Sequence, residues 1–310
     1  MEFEAPRRLV RALAEDGRAE TDGPWLGELP NLGAAAVDRW ELDVERVVAP
    51  GGRGGLVVLV RRPDGTPAAL KLAPPSAAPG AELAALERWD GFGAVRVLDA
   101  AGPGDGGGSG AGGGLLLERL HPEVSVRSLP EAKAVLEAAG TLRRLWVEPP
   151  AGHGYDSVAD RTAPAAARLR AFAGTDDPVA PLASAALEVR DGLLADAVPE
   201  TYLLHGSFHQ GKVLAGDRAP WLTVGPAPLV GERAYDLARL ARDRAEDLVA
   251  VSAGATTARR RVARLADSLD LDPERVRGWT RFRAIASAVR SLDTDRARMA
   301  EPVLEFASWL

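Results

Sequence analysis

Residues 201–226 read TYLLHGSFHQGKVLAGDRAPWLTVGP. Two short apolar runs, 202–204 and 221–224, have the composition of β-strands. Between them lies a loop of Gly, His and polar residues. The whole chain has only three Lys and four His, and Lys212, His205 and His209 all fall in this loop. A composition that otherwise favours Arg keeps one of its few Lys beside a glycine, and this marks the loop as functional.

The 310 residues suffice for one two-lobed fold or two smaller domains, each with its own core. Hydrophobic residues at 46% and charged residues at 26% are those of a globular protein. A formal net charge of −6 offers no basic field for nucleic acid. There is no Cys, which excludes disulfides and thiolate metal sites. No run has the length and apolarity of a signal peptide or a membrane span. The expected location is the cytoplasm, and the Ala-, Arg-, Gly- and Pro-rich composition points to a bacterial source.

Residues 7–16 carry Leu9, Val10 and Leu13 at helical spacing. Residues 17–33 are rich in Gly and Pro and are expected to form a surface loop. Three β-rich runs follow, at 44–49, 56–62 and 67–73, separated by Gly and Pro turns. The first turn, PGGRGG at 50–55, is either a bare-backbone loop able to approach an anion or a plain hairpin tip. Residues 81–89 form a helix and 95–99 and 115–120 two more strands. The mostly Gly segment 101–114 between those strands is expected to be flexible. Beyond residue 120 the pattern is helical, with helices expected at 131–147, 163–173, 182–197, 256–268, 273–291 and 295–309.

The central loop resembles the catalytic loop of the aminoglycoside phosphotransferases, most closely the streptomycin 6-kinase and hydroxyurea kinase branch, which reads LLHGDLHPGNVL before a strand ending in IDP. Leu203, Leu204, His205, Gly206, His209, Gly211, Val213, Leu214 and Pro226 match that frame. GTPAALKL at 65–72 and PLVGERAYDLARLARDR at 228–244 also match family motifs in family order. The resemblance implies an α+β, two-lobed protein-kinase-like fold: a β-rich N-lobe over 1–119 and a helical C-lobe over 120–310. It implies that Lys71 holds nucleotide phosphates and pairs with Glu82, and that backbone near Glu118, Arg119 and Leu120 faces an adenine. Asp236 matches a family Asp that holds the loop backbone from below; read from the residues alone, it is a helix-start cap.

At three positions this chain departs from the pattern. Ser207 stands where the family has its general-base Asp, Lys212 where it has the metal-binding Asn, and Gly225 where it has the metal-binding Asp. A serine hydroxyl accepts no proton near neutral pH without its own base, and an ammonium repels Mg²⁺. On these grounds the expectation is a pseudokinase: a binding or accessory protein that holds a small molecule, nucleotide or peptide in its interlobe cleft, or a partner enzyme. No metal and no required cofactor are expected, with ATP binding possible without Mg²⁺. The alternatives are a repurposed enzyme of natural-product metabolism, or a residual ATP-dependent, streptomycin-type antibiotic phosphotransferase. His205 and His209, which titrate near neutrality, are expected to support the loop.

Overall fold

The computed structural model describes residues 3–101, 113–196, 201–293 and 297–310. The chain forms two compact units, one of residues 1–128 with 212–227 and the other of 129–211 with 228–310. The expected boundary at 119 and 120 falls before this division, and the return of 212–227 to the first unit had no signal in the composition.

The first unit is built on a five-stranded antiparallel sheet in the order β1-β2-β3-β5-β4. Its strands are β1 (Asp43–Val47), β2 (Leu56–Arg61), β3 (Pro67–Leu72), β4 (Val97–Ala101) and β5 (Gly114–Glu118). Side chains alternate across a strand. Leu56, Val58 and Val60 of β2 and Ala68, Leu70 and Leu72 of β3 therefore share one face. They pack there against Leu9 and Leu13 of α1 (Arg7–Glu15) and Trp25 and Leu29 of α2 (Ala19–Trp40). Lys71, between Leu70 and Leu72, belongs to the other face. Helix α3 (Pro79–Trp89) carries Glu82.

Helix α2 corrects the expected loop at 17–33. It runs through Pro24 and Pro30, each of which costs an interior helix about 3 kcal/mol. Asp22, Trp25, Leu29, Gly33 and Ala36 nevertheless recur at helical spacing and are buried. Full burial of a side chain the size of Leu29 contributes about 2 kcal/mol, so the packed face outweighs local propensity. At Gly33 the helix comes so close to Phe3 that a Cβ would lie 2.4 Å from its ring. The expected strand at 115–120 is two strands, because β6 (Leu120–Ser125) leaves the main sheet to join β8 (Val213–Gly216) and β9 (Leu222–Thr223). Most of the Gly-rich segment 101–114 lies outside the described residues.

The second unit is mainly helical, with α4 (Glu131–Leu145), α5 (Val158–Ala173), α6 (Ala180–Ala195), α7 (Arg233–Ala241), α8 (Ala245–Val249), α9 (Gly254–Ser268), α10 (Pro273–Leu292) and α11 (Ala297–Ser308). Helix α5 starts five residues ahead of the expected 163. Ser157 and Asp160 form a reciprocal capping box there, and Pro164 is accommodated inside the helix. The ends of the helices expected at 182–197 and 295–309 fall partly outside the described residues. Strand β7 (Tyr202–Leu204) pairs with β10 (Leu229–Gly231) in this unit. The two apolar runs that flank the central loop thus belong to different sheets, β7 to this one and β9 to the first unit's.

Candidate functional site

The loop after β7 is held by backbone hydrogen bonds from buried groups of the second unit. Asp236, on α7 and fully buried, accepts from the His205 N–H at 2.8 Å and the Gly206 N–H at 2.9 Å. Burial pushes its carboxyl up from the usual value, while the two N–H donors and the Arg283 guanidinium pull it down. It is not a helix cap: Glu232 holds the N-cap position of α7, and Asp236 lies within the first turn.

Two guanidiniums hold the carbonyl side of the same turn. Arg283 donates to the Gly206 carbonyl at 3.1 Å and to the Tyr235 carbonyl at 2.8 Å, and lies 4.4 Å from the Tyr235 ring centre. Arg239 donates to the Ser207 carbonyl at 3.4 Å. Further along, Asp243 accepts from the Gln210 N–H at 2.5 Å. Tyr235 is steadied in turn by an edge-on contact with Trp279, whose indole N–H donates to Glu232 at 2.6 Å. Arg239, Asp243 and Arg283 were not found from the sequence. In an Arg-rich chain no single Arg stands out, and their roles depend on the fold.

The two histidines act alike. Nδ1 of His205 accepts from the N–H of Ser207 at 3.3 Å, and Nδ1 of His209 accepts from the N–H of Gly211 at 3.1 Å. Each ring closes a turn two residues ahead of itself and offers an unprotonated Nδ1, a loop-shaping role. The Ser207 hydroxyl lies 3.5 Å from the same His205 Nδ1, at the outer limit of a hydrogen bond.

At Lys212 the chain enters the first unit. There the Lys212 ammonium donates to the carbonyl oxygen of Gly225. Gly225 has φ +61°, and a Cβ at this position would meet only the Lys212 side chain, at 3.7 Å. Lys212 and Gly225 thus supply an ammonium and a carbonyl already bonded to that ammonium. Neither is the carboxylate or neutral side-chain oxygen that a divalent cation takes, so these two residues do not fit such an ion.

Elsewhere in the first unit, Lys71 and Glu82 form an ion pair in which both carboxylate oxygens accept from the ammonium. The pair is largely buried, with side-chain exposures of 13% and 3%. Glu118 accepts from the Arg96 N–H at 2.8 Å and pairs with Arg218 at 2.7 Å. The Arg119 side chain bridges the Val60 and Ala68 carbonyls at 2.6 and 2.9 Å, and the Glu118 N–H donates to the Arg96 carbonyl at 3.0 Å. An open pocket of about 640 Å³ in the second unit is lined by Asp176, Asp177 and Glu188 among others. Its acidic lining has the wrong sign for a nucleotide, and Lys71 and the central loop are the better candidates.

A buried Lys–Glu pair on a β-rich unit, with a helical unit carrying a scaffolded loop after a short strand, defines the kinase-like fold of small-molecule phosphotransferases. A thermostable mutant of aminoglycoside phosphotransferase APH(4)-Ia, solved with ADP and hygromycin B, superposes with a TM-score of 0.57 at 16% identity, over 88% of this chain and 97% of that one. The amicoumacin kinase hAmiN, solved with AMP-PNP, Ca²⁺ and Ami, gives a TM-score of 0.59 at 13% identity, over 85% of this chain and 88% of that one.

The chain belongs to the aminoglycoside/hydroxyurea antibiotic resistance kinase family, whose model matches residues 39–295. It is 33% identical to a streptomycin 6-kinase of Streptomyces glaucescens, over 97% of this chain and 94% of the relative. It is 35% identical to a hydroxyurea phosphotransferase of Kitasatospora aureofaciens, over 96% of this chain and 83% of the relative.

These relatives correct two expectations. The pseudokinase reading is overturned, since the proteins that match nearly the whole chain are named as kinases and phosphotransferases. The physical reason is that a missing base removes one contribution to phosphoryl transfer and leaves positioning and electrostatics in place. The expectation that no cofactor is required falls with it. The relatives that overturn it are named as kinases, enzymes that draw their phosphoryl group from ATP. Among the described residues no helix is long and apolar enough to cross a membrane.

Proposed function

We propose that this protein is an ATP-dependent phosphotransferase that phosphorylates a hydroxyl of a small antibiotic-like molecule, with streptomycin and hydroxyurea as the first acceptors to test. The observation that carries the reading is the buried Lys71–Glu82 pair in a chain related to named kinases along almost its full length. In this reading Lys71, oriented by Glu82, holds the phosphates of the nucleotide. The backbone at Glu118, Arg119 and Leu120 takes its base. Lys212 adds positive charge for the phosphates, and the loop 205–211, held by Asp236, Arg239 and Arg283, fixes the position of the acceptor.

In the reaction the acceptor oxygen bonds to the γ-phosphorus, the bond to the ADP oxygen breaks, and the hydroxyl proton is released. The transition state of phosphoryl transfer is loose, and catalysis comes mostly from positioning and charge stabilisation. A carboxylate base contributes roughly 10²- to 10⁴-fold. With Ser207 in that place, the enzyme is a slow kinase whose proton passes to water or to the transferred phosphate. A divalent cation carried in with the nucleotide would supply further neutralisation of phosphate charge.

The test is acceptor-dependent ADP formation from ATP and Mg²⁺, with streptomycin, other aminoglycosides and hydroxyurea. Mass spectrometry of the acceptor is the second readout. A phosphorylated acceptor is expected from at least one of them; ADP formation that no acceptor stimulates would refute the proposal.

A further inference from the structure

Three of the four histidines have a partner at a ring nitrogen. Nδ1 of His205 and of His209 each accept a backbone N–H, and Nε2 of His121 lies 2.8 Å from Asp217. The fourth, His153, has its Nδ1 enclosed by the chain with no hydrogen-bond partner. Folded proteins hold few such groups, and each calls for a donor that the chain itself does not supply. His153 stands in the segment 148–156, EPPAGHGYD, which joins α4 to α5. Its ring stacks on that of Tyr155, with centres 5.6 Å apart and planes 25° from parallel, and both residues are half-buried.

Strand register places this segment. The Val230 N–H donates to the Asp156 carbonyl at 2.8 Å, and Ser157 bridges Val230 in the parallel sense. Strand β10 begins at Leu229, opposite Leu204, the residue before His205. Because 156–158 runs parallel to β10, the residues ahead of Asp156 extend past Leu229 toward the end of the pair where the loop 205–211 begins. Arg161 fixes this return, donating to the Pro228 carbonyl at 3.1 Å and to the Asp156 carboxylate at 3.2 Å. A Cβ at Gly152 or Gly154 would meet nothing within 4 Å, so the chain borders open space on both sides of His153.

We infer that His153 and Tyr155 form a subsite for the acceptor, and that this acceptor carries a saturated, hydroxylated ring of the sugar or cyclitol kind. Two stacked aromatic rings offer apolar area to the C–H face of such a ring, and Nδ1 accepts a hydrogen bond from one of its hydroxyls. The glycines beside His153 give the backbone freedom to turn the enclosed nitrogen toward a ligand. Hydroxyurea is too small to cover both rings and fill the hydrogen bond at once. The inference rests on the proposed phosphoryl transfer to a hydroxyl held at the loop 205–211.

The test is steady-state kinetics of the full chain with ATP and Mg²⁺, using hydroxyurea and a set of aminoglycosides that includes streptomycin. Wild type is compared with His153→Phe, which keeps the ring pair and removes the nitrogen, and with Tyr155→Leu, which removes the pair. Each substitution raises KM for the aminoglycoside about three- to tenfold. The kcat and the KM for ATP stay within about twofold, the pattern of binding lost equally from ground state and transition state. Melting curves verify folding, and His153→Ala replaces His153→Phe if the latter is unfolded. An unchanged aminoglycoside KM in either folded variant, or an equal rise in KM for ATP, overturns the inference and leaves the phosphotransferase reading standing. Phosphorylation of hydroxyurea and of no aminoglycoside by wild type does the same. If wild type phosphorylates no acceptor at all, the functional reading and the inference fall together.

Discussion

In the first unit Lys71 on β3 meets Glu82 on α3 as a buried ion pair, the pair that the resemblance assigns to the nucleotide phosphates. In the second unit the loop 205–211 keeps its scaffold on Asp236, Arg239 and Arg283, but Ser207 replaces its reactive carboxylate. One region retains both geometry and chemistry; the other retains geometry with altered chemistry. The difference shows that a loop's shape and its reactive tips are separable. Carboxylate–amide bonds, buried at Asp236, and part-buried guanidinium–carbonyl bonds fix the shape, and none of them involves the side chains of Ser207 or Lys212. Exchange at a tip leaves the scaffold satisfied, whereas exchange of Asp236 leaves two buried N–H groups without their acceptor.

The largest expected effect sharpens this comparison at the tip. Ser207→Asp restores a base on an intact scaffold and should raise kcat by roughly 10²- to 10⁴-fold, measured as acceptor-dependent ADP formation. An unchanged kcat would show that proton transfer does not limit the reaction and that the altered tip is not the reason for a slow enzyme. At the scaffold the outcome should be structural: Asp236→Ala should cost about 3 to 5 kcal/mol of stability in urea unfolding, because two buried N–H donors lose their acceptor. A cost no larger than that of a surface substitution would break the distinction between scaffold and tip.

The third effect belongs to the first unit. Glu82→Gln keeps the shape of the side chain and removes its charge, leaving Lys71 less firmly oriented. It should lower kcat/KM for ATP by about tenfold, with a smaller change in melting temperature than Asp236→Ala. The smallest effect is expected at Gly225. Its φ of +61° makes Gly225→Ala cost about 1 to 2 kcal/mol, although a Cβ there makes only ordinary contact with the Lys212 side chain, at 3.7 Å. Thermal unfolding measures this, and a stabilised variant would mean that the backbone there relaxes out of the left-handed region.

Much of the fold was legible because short motifs stand in family order and the hydrophobic periodicities of β2, β3, α3 and α4 are clear. What stayed hidden depends on distant packing. Pro24 and Pro30 signalled a loop at 17–33, and only the burial of Trp25 and Leu29 against the sheet makes α2 a helix. The central stretch read as one strand–loop–strand element, yet β7 pairs with β10 and β9 with β8, a pairing that no local pattern encodes. At the site, Lys71, Glu82 and Asp236 were visible as motif residues. Arg239 and Arg283 were not, since an Arg gains its meaning from the carbonyl it meets in three dimensions. The inference from Ser207, Lys212 and Gly225 to a lost activity weighted three tips above the retained frame. The named kinases among the relatives show the weighting to be wrong.

The most direct test of the central claim is transfer of label from γ-labelled ATP to streptomycin and to hydroxyurea, by wild type and by Lys71→Ala, in the presence of Mg²⁺. The account predicts labelled acceptor from wild type with at least one of the two, and loss of that transfer in a folded Lys71→Ala. Label that reaches no acceptor with wild type, or transfer that persists undiminished without Lys71, would contradict it.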